Sequence, residues 1–170
     1  STLRILENYV RRGKIKVVLS DIVVRESKRH IAARVKEVCG IVNTARNSAL
    51  KVYNEHLISS IGMNEMFRIV ESEDDIIAKE EKVFDDFLCA IDAEILGTDL
   101  IDINSVLSDY FGAKPPFEES GKKKSEFPDA FIAQQIRNRF GETETVIIVS
   151  NDKGFIRACQ ESENCLFFNS

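Results

Sequence analysis

The stretch Val146-Ile147-Ile148-Val149-Ser150-Asn151-Asp152-Lys153-Gly154-Phe155 decides how the chain is read. Four consecutive β-branched residues bounded by turn signals predict a short buried strand rather than a helix. Ser150-Asn151-Asp152 then supplies a turn, and a helix is expected from about Lys153 to Glu161. Just upstream, Phe127-Pro128-Asp129-Ala130-Phe131-Ile132-Ala133 opens a helix expected to run to about Phe140. Pro128 suits its first turn, where the missing N–H has no partner to lose. Downstream, Cys165 to Phe168 reads as a last strand.

The same grammar holds further out. Ile15 to Leu19 is a second apolar run, followed by the capping residues Ser20 and Asp21 and a long helix from about Ile22 to Ile58, with a break expected near Gly40. Leu3, Ile5, Leu6, Tyr9 and Val10 form an earlier helical stripe that Gly13 stops. Ser72 opens another helix, whose stripe continues through Ile91 and Ile95 until Gly97 ends it. Leu100 to Ile103 is expected to be extended, with Asn104 capping a small helix beyond it. Gly112 to Lys124 has loop composition. Strands alternating with helices, and strands that are almost wholly apolar, predict a three-layer α/β/α fold around a central parallel sheet.

The bulk properties narrow the function. A chain of 170 residues suits one domain, so residues 1–170 are read as a single unit. No apolar run reaches the roughly 20 residues of a membrane helix, and no secretory leader pattern opens the chain. Cys39, Cys89, Cys159 and Cys165 form no C-x-x-C pair and sit away from His30 and His56 at zinc-site spacing. They read as reduced and mostly buried thiols, which makes a cytoplasmic setting the expectation. The net charge of -5 excludes a protein that holds nucleic acid by overall charge. Neither a phosphate-binding P-loop nor a G-x-G-x-x-G turn is present.

In open α/β sheets, functional groups collect at the carboxyl ends of the strands. Four acids are expected near such ends: Asp21 and Glu26 after the first strand, Asp129 at a helix start, and Asp152 after Val149. Each has a plain alternative, since an Asp at a helix start caps free N–H groups and complements the dipole. Asp21 is read as such a cap, and Glu26 by itself as a solvated helix residue. As a group, carboxylates at one sheet edge repel one another unless a cation lies among them. Hard oxygen donors suit Mg²⁺ or Mn²⁺.

The segments Phe127 to Ala133 and Val146 to Phe155 resemble the C-terminal half of a PIN domain, and Ser20-Asp21-Ile22-Val23-Val24-Arg25-Glu26 resembles that family's second strand and acid-bearing helix. Pro115-Pro116-Phe117-Glu118-Glu119 and the lysines after it resemble a bacterial branch of PIN-like domains. The resemblance implies Mg²⁺- or Mn²⁺-dependent hydrolysis of RNA, less often of DNA. It implies metal-binding, catalytic roles for Glu26, Asp129 and Asp152. Lys122, Lys123, Lys124, Ser150 and Asn151 are the substrate-contact candidates, though a solvated loop and turn hydrogen bonds explain them equally.

Two departures qualify the resemblance. The family opens with a hydrophobic strand ending in an Asp, which is expected upstream of Ser1, the 170 residues being a domain truncated at its N-terminus. Gly154 stands where many relatives carry a further acid. The leading expectation is therefore a metal-dependent endoribonuclease. A PIN-like RNA-binding or regulatory module without turnover and a flap-type DNA nuclease are the alternatives. A homodimer and an inhibitor protein are the partners expected besides RNA.

Overall fold

A computed structural model describes residues 2–52, 60, 71–117, 126–140, 144–160 and 164–168. In chain order these form α1 (Thr2–Arg11), β1 (Val18–Ser20), α2 (Asp21–Val52), α3 (Glu73–Ala90), β2 (Glu94–Leu96), a 3-10 turn (Thr98–Leu100), α4 (Ile103–Phe111), α5 (Phe127–Phe140), β3 (Val146–Val149), α6 (Lys153–Cys159) and β4 (Cys165–Phe168). The mixture is α/β, and every strand pairing is parallel. The strands form two pairs, β1 with β2 and β3 with β4, in place of one continuous sheet among the described residues.

The chain divides into two compact units. One holds residues 1–17 and 25–93, and the other holds 18–24 and 94–170. In the first, Gly13 adopts φ 62° and ends α1, as the sequence anticipates. Its N–H reaches the Val10 carbonyl at 2.8 Å. The break expected near Gly40 is absent, and α2 runs unbroken to Val52. A single Gly inside a helix costs only about 1 kcal/mol against Ala, which 32 residues of helix tolerate. Lys28 ties α2 to α3 through Asp85 at 2.7 Å. Ser72 caps α3 by accepting the Asp75 N–H at 3.1 Å.

Three boundaries differ from the sequence reading. The helix that opens at Ser72 stops at Ala90, and Ile95 lies on β2 rather than on its stripe. Asp92 turns the chain there with φ 46°, a conformation Asp adopts more readily than most residues. The first strand is Val18–Ser20, shifted from the apolar run that begins at the exposed Ile15. Residues Leu100 to Ile103 are not a strand. They end the 3-10 turn and lead into α4, whose cap is Asp102 accepting the Asn104 N–H at 3.0 Å.

In the second unit, α5 is the central element. Its Ala133 packs with Ile148 of β3 and with Ala158 and Cys159 of α6. Its Ala130 packs with Val106 and Phe117, and Tyr110, Phe127 and Phe131 close that cluster. Arg139 pairs with Glu94 at 2.6 Å, and Asn138 donates to the Leu100 carbonyl at 2.7 Å. The sequence reading has β3 covered on both faces. Here α5 and α6 cover one face, while Ile147, Val149, Leu166 and Phe168 are exposed. Their register, Ile147 beside Leu166 and Val149 beside Phe168, puts all four on one face of the pair. Of the cysteines, Cys39 and Cys159 are buried, Cys165 is half-buried and Cys89 is exposed. No described helix is long and apolar enough to cross a membrane.

Candidate active site

Asp152 follows β3 by three residues. Its backbone is extended, and its Oδ1 accepts the Phe155 N–H at 2.9 Å, so it caps α6. Ser150 Oγ accepts the Asp152 N–H at 3.1 Å and fixes the turn that aims it. The cap engages Oδ1, and the residue is exposed. A carboxylate offers about four lone-pair sites, so capping and cation binding are compatible.

Asp129 is half-buried in the first turn of α5. The direction of α5 follows from its contacts with the β1–β2 pair. Arg139, near its end, meets Glu94 at the start of β2. Gln135, one turn earlier, meets Leu96 and Gly97 at the carboxyl end of that strand. Asp129 is six residues earlier still, about 9 Å along the helix axis at 1.5 Å per residue. It therefore lies beyond the carboxyl ends of the parallel pair.

One short segment touches both helix starts. Phe117 is 1% exposed and packs on Ala130, the residue after Asp129. A side chain at position 154 would come within 3.9 Å of the Pro116 carbonyl and 3.2 Å of Asp152 Oδ1. Pro116-Phe117 thus approaches the starts of both α5 and α6. The Pro115–Pro116 peptide bond is cis.

Glu26 is on α2 in the other unit, with its carboxylate 4.0 Å from Arg29. His30, four residues on, is exposed and lines a groove of about 780 Å³ between α2 and α3 with Val35, Val38 and Ile76. Neither Asp129 nor Asp152 borders that groove, which is mostly apolar and carries none of the chemistry considered above. Lys122, Lys123 and Lys124 lie outside the described residues. Ser150 and Asn151 form the turn before Asp152, where Ser150 has the structural role just given.

One feature was missed by sequence reasoning. Gln135 is 0% exposed, and its Nε2 donates to Asp21 Oδ1 at 2.9 Å, to the Gly97 carbonyl at 3.0 Å and to the Leu96 carbonyl at 3.2 Å. Asp21 is therefore more than a helix cap. The local cap at that point is Ser20, whose Oγ accepts the Ile22 N–H at 3.0 Å. The available signal was a pair of glutamines, 134 and 135, in a helix with apolar residues around its whole circumference.

The PIN domain family profile matches residues 1–155. The chain belongs to the PIN domain family. Comparisons with curated proteins and with solved structures gave no match. PIN domains are generally nucleases and typically use divalent metals. Asp129 and Asp152 are hard oxygen donors at neighbouring helix starts. Mg²⁺ needs only one or two carboxylates because it keeps several of its waters. Among the described residues no group of three or more acids, histidines or cysteines converges. In this PIN domain, Asp129 and Asp152 are carboxylates with the donor chemistry that such an ion takes.

Proposed function

We propose that the chain is a metal-dependent endoribonuclease that hydrolyses RNA phosphodiester bonds, with Glu26, Asp129 and Asp152 as its metal-binding, catalytic acids. The observation that carries this reading is the placement of Asp129 and Asp152 at two helix starts that Pro116-Phe117 approaches. Residues 1–170 then act as one PIN domain, with the strand pairs belonging to a central parallel sheet in a three-layer α/β/α arrangement. A bound Mg²⁺ or Mn²⁺ would lower the pKa of a coordinated water and offset phosphate charge.

The chain's own residues supply the rest. Asp152 is held in place by its Phe155 N–H and by the Ser150 turn, so one oxygen is oriented before any cation arrives. Asp129 is fixed by the packing of Ala130 and Ala133 on two separate clusters. Preorganisation of this kind keeps ligand geometry within the roughly 0.5 Å that a working site needs. Lys122 to Lys124 and the Ser150-Asn151 turn are the proposed contacts to the RNA strand. With a net charge of -5, attraction to RNA has to be local to such groups and to the cation. A cytoplasmic setting, a homodimer and an inhibitor protein belong to the same proposal.

Gly154 favours a second reading, an RNA-binding or regulatory module without turnover. A side chain there would crowd Asp152 at 3.2 Å, so a further acid at this position would need local rearrangement. Matched RNA and DNA strands incubated with the protein and Mn²⁺ separate the readings. The nuclease reading predicts internal cuts in RNA that EDTA stops. Cuts confined to DNA would point to a flap-type nuclease. Metal-independent RNA binding without cuts would favour the module.

A further inference from the structure

Gln135 is a buried polar side chain in the middle of α5, and its environment is unusual. Three acceptors crowd its Nε2: a carboxylate oxygen of Asp21 and the carbonyls of Leu96 and Gly97. These belong to the carboxyl ends of β1 and β2, which are adjacent parallel strands. The reverse amide orientation would set Oε1 against the same three acceptors, so the donor assignment is fixed by its surroundings. Oε1 itself is buried and has no partner among the described residues. A leucine of similar size would avoid that unsatisfied acceptor, so packing alone does not explain a glutamine here.

We infer that Gln135 is a positioning residue for the candidate metal site, an assignment that rests on the nuclease reading above. One amide joins the carboxyl ends of two strands to the helix that carries Asp129. It also restrains Asp21, the first residue of α2. Releasing the amide lets α5 slide or turn relative to the strand ends. A displacement of about 0.5 Å is small for core packing but large for a ligand set. Groups hydrogen-bonded directly to metal ligands typically lower metal affinity or activity about 10- to 100-fold when lost, and Gln135, which bonds Asp21 and two carbonyls and acts through the seating of α5, is placed at the lower end of that range.

The test measures Mn²⁺ affinity by titration without RNA, alongside RNA cleavage, for the native protein, Gln135→Leu and Asn138→Ala. Asn138 braces the far end of the same helix through the Leu100 carbonyl. The inference predicts that Gln135→Leu keeps its helical circular dichroism, binds Mn²⁺ about 10-fold more weakly or worse, and loses kcat with little change in the KM for RNA. Asn138→Ala keeps native Mn²⁺ affinity. A folded Gln135→Leu protein with native Mn²⁺ affinity overturns the inference and leaves the nuclease reading standing. A native protein that neither binds Mn²⁺ nor cleaves RNA overturns both. If Gln135→Leu does not fold, Asp21→Ala serves, because it removes one acceptor while Gln135 keeps both carbonyl partners. Weaker Mn²⁺ binding by Asp21→Ala supports the inference, and unchanged binding sinks it.

Discussion

Asp152 Oδ1 accepts the Phe155 N–H at 2.9 Å, so one carboxylate caps α6 and is also oriented at the end of β3. The two roles separate by substitution. Asn caps a helix about as well as Asp, whereas Ala costs about 1 kcal/mol. Asp152→Asn is therefore expected to change stability by less than about 0.5 kcal/mol while weakening Mn²⁺ binding. Asp152→Ala should lose both. Urea unfolding beside Mn²⁺ titration checks this, and equal Mn²⁺ affinity in Asp152→Asn and the native protein would reduce Asp152 to a cap.

Phe117 is 1% exposed among Val106, Ala130, Tyr110 and Phe127. Truncating such a side chain typically costs about 3–5 kcal/mol. Phe117→Ala is expected to lose that much in urea unfolding, with Phe117→Leu losing clearly less. Because Pro116-Phe117 lies against both helix starts, Phe117→Ala should also weaken Mn²⁺ binding. A loss under about 1 kcal/mol would show that the segment is not packed as described.

The thiols give a test by pH. Burial pushes the Cys159 thiol up from near 9 to about 12, with Cys165 and Asp129 adding to the rise and Arg137 opposing it. Burial raises Cys165 as well. Folding therefore favours the neutral thiol, and that contribution is complete below the unfolded value. It is lost as pH climbs from about 9 towards 12, because the unfolded chain ionises first. Alkylation read by mass spectrometry at pH 8 should modify exposed Cys89 first and Cys159 last. Early modification of Cys159 would contradict the packing of α5 on α6.

The legible parts of this fold were those with local causes. Val146 to Val149 forms a strand because four β-branched residues have no better option, and Asp152 caps because the turn before it is short and polar. Asp129 was legible through Pro128, which marks a helix start. The strand Glu94–Leu96 was not, because its apolar residues continue the stripe of α3, and the turn at Asp92 involves neither Gly nor Pro. Gln135 escaped for a different reason. A glutamine in a helix reads as solvated, and only the acceptors at the ends of two distant strands make it a buried donor. The division into two parallel pairs also depends on long-range pairing that the local sequence does not encode.

The most direct measurement incubates the native full-length protein with labelled single-stranded RNA and Mn²⁺, beside Asp129→Asn and Asp152→Asn. The account predicts internal cleavage that EDTA abolishes and that each substitution lowers by at least about 100-fold. Cleavage that persists in both folded variants, or a folded native protein that cuts no RNA, would contradict it.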